Sequence, residues 1–241
     1  MARPGDPETV FVLHRRPYGE TSLLVELFAE QSGRVGTVAR GGRKPRRGSL
    51  PLEPFRPFRA SWSGRGGLRT LRGWEPAEGS PGMAGQSLYL GFYLNELLMR
   101  LCARFDPYPR VFAAYRETLN ALAEGGRDRP LRLFEAGLLR ELGLAPDWDR
   151  CGGCGRPVRE EDRFAWEPRI GLACGDCTSG ERPFSGGAVR LLLEEREAGR
   201  VERRQVRDLM RAAMAPHLGP RPLASRELLR SVARTGDRGT G

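Results

Sequence analysis

The residues best suited to chemistry are four cysteines in two pairs, Cys151-Gly-Gly-Cys154 and Cys174-Gly-Asp-Cys177, with nineteen residues between the pairs. Two residues between cysteines let both sulfurs turn onto one ion, and two such knuckles supply the four thiolates of a tetrahedral site. Thiolates favour zinc over magnesium or calcium, which take oxygen ligands. Four protein ligands fill the shell and leave no place for an activated water, so the expected zinc is structural. A pair of disulfides suits small secreted domains better than a chain of 241 residues with no apolar leader. An iron–sulfur cluster takes the same four ligands, and spacing does not separate it from zinc. The fifth cysteine, Cys102, lies in the apolar run Leu97-Leu98-Met99-Arg100-Leu101 and reads as a buried helical residue.

A second cluster is cationic. Arg40-Gly-Gly-Arg-Lys-Pro-Arg-Arg-Gly48 places Arg40, Arg43, Lys44, Arg46 and Arg47 on one glycine- and proline-rich loop. Arginine forks match phosphate oxygens in pairs, and glycine lets backbone approach a phosphate chain. From Gln31 to Trp74 there are eleven basic residues, Arg34, Arg56 and Arg59 among them, and one acid, Glu53. The rest of the chain balances to zero, so the whole net charge of +10 lies in this segment. Such clustering is the footprint of polyanion binding. Lys44 is the only lysine; that bias reflects codon preference and carries no functional weight. Tyr18, Phe55, Phe58 and Trp62 lie close enough in sequence to stack on bases, although aromatic residues of small barrels usually fill the core.

Other chemistries lack their signatures. The sequence has no phosphate-binding Gly-x-x-x-x-Gly-Lys-Ser/Thr loop, no His-Glu-x-x-His and no Gly-x-Ser-x-Gly. Its two histidines, His14 and His217, have no serine or cysteine partner nearby in sequence. No enzymatic activity is expected. No apolar run approaches the ~18 residues of a membrane span, and a cytoplasmic, nucleoid-associated protein is expected.

The elements that must hold these residues follow from periodicity. Short β-rich runs at 9–14, 21–28, 34–39, 53–62 and 68–74, separated by turn residues, predict a five-stranded closed barrel of OB type, with an SH3-like barrel as the alternative. After a Pro/Gly/Ser stretch at 75–85 the period becomes helical, with helices predicted at 86–104, 109–124 and 130–142, two more between 189 and 214, and one from 223 to 232. Between the knuckles, 163–168 and 169–173 read as a hairpin, giving a zinc-ribbon shape. The predicted fold is multidomain α+β. Residues 1–78 form the OB-like barrel and 79–150 a helical domain. The zinc ribbon is inserted at 151–180, 181–234 complete the helical bundle, and 235–241 form a disordered tail.

Several stretches resemble one family. Arg15-Arg-Pro-Tyr-Gly-Glu-Thr-Ser-Leu-Leu-Val-Glu-Leu-Phe28, Gly33-Arg-Val and Ala39-Arg-Gly-Gly-Arg-Lys resemble the opening of the bacterial RecO recombination mediators. Residues 132–146, leading into Cys151, and 218–229 extend the resemblance in the same order along nearly the whole chain. The resemblance implies an amino-terminal OB-fold, a helical domain and a zinc-ribbon region. It also implies binding of single- and double-stranded DNA, annealing of complementary strands, and partnership with RecR. The family acts on strands coated by single-stranded-DNA-binding protein (SSB) so that the RecA recombinase loads. Some members lack the cysteines, which implies that the metal stabilises the fold and does not perform the activity. The expected nucleic-acid-binding residues are Arg34, Arg40, Arg43, Lys44, Arg46, Arg47, Arg56 and Arg59, and the expected metal ligands are Cys151, Cys154, Cys174 and Cys177. A zinc-ribbon adaptor of transcription or translation, and a metal-dependent nuclease, are the alternatives from other functional classes.

Overall fold

The computed structural model describes residues 6–44, 50–194, 196 and 198–229. They form two compact units, one built from residues up to Gly125 with the segment from Pro222 onward, the other from Gly126 to Arg221.

The first unit is organised on five strands: β1 (Glu8–Tyr18), β2 (Ser22–Ala29), β3 (Gly33–Ala39), β4 (Pro57–Ser63) and β5 (Arg69–Pro76). They close a barrel in the order β1-β2-β3-β5-β4, with β3 and β5 parallel and the other pairs antiparallel. This order, with its single parallel closure, is that of an OB-like barrel, and it decides against the SH3-like alternative. The alternation of β1 and β2 sends Val10, Val12, Leu23, Val25, Leu27 and Ala29 into the barrel with Val35, Phe58 and Leu71. The intervening Phe11 and Phe28 face outward yet are fully buried. They are covered by helix α2 (Pro109–Ala123): Phe112 and Tyr115 pack on both rings at centroid separations of 5.1–6.1 Å. Apolar residues on both faces of these strands therefore call for a second layer, which the helices supply.

Helix α1 (Gln86–Leu101) is fixed to the barrel at an irregularity in β1. The β1–β2 register shifts between Val12 and His14. The Val12 and Leu13 carbonyls there accept hydrogen bonds from the buried Asn95 amide, at 3.4 and 2.9 Å. Tyr115 donates to Asn95 Oδ1 at 2.6 Å, so one amide joins barrel, α1 and α2. The segment 224–229 is helical and docks on α1. The Glu96 carboxylate accepts from the N–H groups of Ala224 (3.1 Å) and Ser225 (2.9 Å), which begin that turn. Burial alone would raise the Glu96 carboxyl, but the bonds from Ser225, Ala224 and Arg100 outweigh it and hold it below its usual range.

The second unit joins α3 (Asp128–Glu141) and α5 (Arg200–Leu218) to a small three-stranded sheet. Strands β6 (Arg163–Glu167), β7 (Gly171–Ala173) and β8 (Phe184–Ser185) run in the order β7-β6-β8, and a short helix α4 (Gly186–Arg190) follows. The β6–β7 pair is the hairpin expected between the cysteine knuckles. Gly143 follows α3 with φ +69°, the left-handed conformation that stops a helix.

Two expectations meet a different arrangement. The helix from Gln86 ends at Leu101, not at 104, because residues 102–106 leave it to run beside β3. The helical residues also divide: α1, α2 and 224–229 cluster with the barrel, and α3, α4 and α5 with the cysteine-bearing segment. The outer apolar face of β1–β2 recruits the first group, leaving the second to build its own core around Leu138, Leu139, Leu209 and Met210. The tail predicted at 235–241 lies outside the described residues.

Candidate nucleic-acid interface and metal centre

The register of the barrel locates the cationic residues. Beyond the β1 irregularity, Arg16 pairs with Leu24 and Leu24 with Val38, while Tyr18 pairs with Ser22. Leu24 and Val38 alternate with inward-facing Leu23, Val25 and Ala39, so Arg16, Tyr18, Leu24 and Val38 share the outer face of β1–β2–β3. Among the described residues no helix covers the face at this end. Arg15 and Arg16 are exposed, and Tyr18 is 50 % exposed.

The basic loop folds toward the same end. Arg40, Arg43 and Lys44 are exposed. The Arg43 N–H donates to the Thr21 carbonyl at 3.0 Å, and its guanidinium donates to the carbonyls of Gly19 and Glu20 at 3.1 and 2.9 Å. The start of the loop is thereby tied to the β1–β2 turn, which brings Arg40, Arg43 and Lys44 to the strand end that carries Arg16 and Tyr18. Arg46 and Arg47 lie outside the described residues. In OB-like barrels the face of the second and third strands, flanked by the β1–β2 and β4–β5 loops, is the one that takes oligonucleotides. The observed cluster is on that face.

The other expected residues lie elsewhere. Arg59 is exposed on β4 and donates to the Pro7 carbonyl, and Arg56 is half-buried just before that strand. Strand β4 pairs with β1 and β5 and with neither β2 nor β3. Arg34 is turned to internal work: its side chain is only 12 % exposed and bonds Glu26 Oε1 at 2.8 Å. Its other terminal nitrogen donates to the carbonyls of Met99 and Cys102, the latter at 2.7 Å. These are carbonyls of the last turn of α1, where a helix leaves acceptors unpaired and favours a cation. Arg34 thus closes α1 onto β3. Phe55 and Phe58 are buried and Trp62 is packed against the barrel core, which leaves Tyr18 as the accessible ring of the four aromatic residues. Arg15 and Arg16 lie outside the charge-rich segment, which opens at Gln31 in the β2–β3 turn. The signal that would have found them is strand pairing, which places residue 16 beside residues 24 and 38.

The internal role of Arg34 has a measurable consequence. Arg34→Met leaves the Met99 and Cys102 carbonyls without their donor and the buried Glu26 with Arg104 alone. Urea unfolding should show a loss of about 2–4 kcal/mol, with the salt dependence of oligonucleotide binding unchanged. A shallower salt dependence with undiminished stability would place Arg34 on the phosphates instead.

In the second unit the four knuckle cysteines converge. Their sulfurs lie within 4.8 Å of one another, with Cys154 and Cys174 Sγ at 3.6 Å. Four sulfurs at ~2.3 Å from a central zinc would be ~3.8 Å apart, so the donor set fits a tetrahedral ion. All four are free of disulfides. Cys151 and Cys174 are buried, Cys177 is half-buried and Cys154 is exposed. Burial pushes the Cys151 thiol up, but backbone N–H groups of Cys154, Cys174 and Gly153 outweigh it and bring it to about 6. The backbone holds this shape by close approach. Gly152 donates to the Leu172 carbonyl at 2.7 Å, and a Cβ on Gly152 would stand 1.7 Å from the Ile170 carbonyl oxygen. The two knuckles are also joined outside the sulfurs by Arg156 and Asp176 at 2.6 Å, an exposed pair of modest worth. The remaining cysteine, Cys102, is buried in the first unit, and burial pushes its thiol up to about 12.

Comparison with known proteins fits both units. Residues 8–79 match the family model "Recombination protein O N terminal", and residues 84–227 match "Recombination protein O C terminal". The chain belongs to the RecO family. Among curated RecO proteins, the DNA repair protein RecO of Alkalilimnicola ehrlichii is 45 % identical over 95 % of this chain and 92 % of its own length. That of Laribacter hongkongensis is 41 % identical over 98 % of this chain and all of its own. That of Sodalis glossinidius is 39 % identical over 92 % and 86 %. The RecO matches span the barrel and the cysteine-bearing unit alike. Among the described residues no helix is long and apolar enough to cross a membrane.

Proposed function

We propose that this chain is a non-enzymatic DNA-binding and strand-annealing mediator of recombinational repair. The observation that carries the reading is the uncovered outer face of β1–β2–β3, with Arg16, Tyr18, Arg40, Arg43 and Lys44 gathered at one end. Membership in the RecO family, whose curated relatives are named DNA repair proteins, supports DNA as the ligand. The cations hold the phosphates of one strand and lower the repulsion met by its complement. Tyr18 offers a ring to an unpaired base. No nucleotide cofactor takes part, so annealing proceeds without ATP. In the cell, the reading places the protein in the nucleoid-bearing cytoplasm with RecR, acting on SSB-coated single strands to help RecA load.

The four cysteines hold a structural zinc in this reading. The ion supplies a cross-link between residues 151–154 and 174–177, and with four sulfur ligands it leaves no position for substrate. Its contribution is to the stability of the second unit.

The test is annealing of two complementary fluorescent oligonucleotides, without ATP, at low and at physiological salt. Protein-dependent annealing that weakens as salt rises is the expected result. Tight binding without annealing would leave a nucleic-acid-binding adaptor, and absence of binding would remove the barrel face from the account.

A further inference from the structure

The connector between α1 and α2 does more than join helices. Strand β5 begins its pairing with β3 at Thr37, through Arg69, so the earlier residues of β3 lack β5 along that edge. Residues 104–105 take the place: Arg34 and Arg104 form a parallel bridge, and the Phe105 N–H donates to the Arg34 carbonyl at 2.9 Å. The approach is close enough that a Cβ on Gly33 would stand 1.8 Å from the Asp106 carbonyl oxygen.

Phe105 is held there in a costly way. Its φ is +59°, a conformation that bulky residues avoid. Phe105 is also left 39 % exposed, where burial would be the usual outcome for a phenylalanine. The Arg69 guanidinium lies 4.9 Å from the ring centroid and also donates to the Gly64 carbonyl in the β4–β5 loop. Beside them, Glu26 is matched by two arginines, Arg34 and Arg104, at 2.8 and 2.7 Å, leaving an excess positive charge. The Arg104 side chain is 46 % exposed and lies close over Gly36, where a Cβ would stand 3.3 Å from its terminal nitrogen.

An accessible ring, a stacked arginine and a surplus cation, all beside the β4–β5 loop, are what an unpaired base and its phosphate require. We propose that Phe105 is a base-stacking residue for single-stranded DNA, with Arg69 and Arg104 as its phosphate-facing neighbours. The inference rests on the DNA-binding reading above and deepens it. A single strand crossing the barrel face from Tyr18 reaches, at the opposite end, a platform contributed by the α1–α2 connector and not by the barrel itself.

The experiment uses the full chain and a fluorescent oligothymidylate of about 20 nucleotides, long enough for one barrel face. Phe105→Asn removes the ring while keeping a residue that accepts positive φ. It should weaken single-strand binding about 5–10-fold. The salt dependence should not change, because a stacked base releases no counterion. Phe105→Trp should retain the affinity, and duplex binding, whose bases are already stacked, should change less than twofold. In the unaltered protein, an oligonucleotide carrying 5-iodouracil should cross-link to Phe105 on irradiation, a readout that does not depend on any variant folding. Parent-like binding by Phe105→Asn with no cross-link at 105 would overturn the proposal while leaving the DNA-binding reading intact. An equal loss for single strands and duplex would also overturn it, by making Phe105 a buttress of the β4–β5 loop. Failure of the unaltered protein to bind any oligonucleotide would instead remove the reading on which the proposal rests.

Discussion

Replacing Arg16, Arg40, Arg43 and Lys44 together by alanine should nearly abolish salt-sensitive DNA binding while the protein remains folded. These residues are exposed, and their charges do not hold the core. Surface changes of this kind usually alter stability by within ~0.5 kcal/mol each. Arg43 is the partial exception, since its guanidinium also ties the β1–β2 turn. On a single strand each engaged cation contributes about 0.7 to the slope of log affinity against log salt. Removing four should make the slope shallower by about 3. Between 50 and 200 mM salt that difference corresponds to about a 50-fold change in relative affinity. Fluorescence anisotropy across a salt series measures it directly. Arg56→Ala with Arg59→Ala is the comparison, because those residues lie by β4, away from β2 and β3. A slope unchanged in the fourfold variant, or an equal change in the Arg56/Arg59 pair, would move the DNA off this face.

The second large effect is expected at the cysteines. Cys151→Ser or Cys174→Ser removes a buried sulfur from the four-sulfur set and should release one equivalent of zinc. The second unit then loses its cross-link between residues 151–154 and 174–177, at a cost of about 3–5 kcal/mol. Calorimetry should register a fall of about 12–25 °C in its unfolding transition. Metal analysis of parent and variant distinguishes the accounts. One zinc per parent chain and none in the variant is the expected outcome. Iron with visible absorbance would mean a cluster in place of zinc, and equal metal in both proteins would take the ion away from these sulfurs. DNA affinity should change less than twofold, because Arg16, Arg40, Arg43 and Lys44 belong to the other compact unit.

The surroundings of Arg34 show what charge along the sequence does not report. In sequence Arg34 belongs to the same cationic segment as Arg40 and Arg43. In the fold it faces Glu26 and the end of α1, a side chain 12 % exposed beside others that are open to solvent. Alternation along β3 places residues 34, 36, 38 and 40 on one face, yet the first part of that face lies beneath residues 102–106. Sequence periodicity reports which face a side chain is on. It does not report what else arrives there.

The local features were therefore open to reading. Two Cys-x-x-Cys pairs carry their geometry within a few residues, and the hairpin between them follows from its own strand and turn residues. The five strands of the barrel declared themselves by β-rich runs and glycine turns. The apolar stripes of α1, α2, α3 and α5 were equally plain. The tertiary structure alone decided how distant stretches combine. It paired Arg16 with Leu24 and Val38, and assigned α1 and α2 to the outer apolar wall of β1–β2. It also bent residues 102–106 against β3 and exposed Phe105 beside Arg69. Secondary structure and the cysteine knuckles are set by interactions across a few residues, which the order of amino acids states directly. The proposed nucleic-acid face is set by contacts between residues up to about seventy positions apart, and those exist only once the barrel has closed and the helices have covered what it leaves apolar.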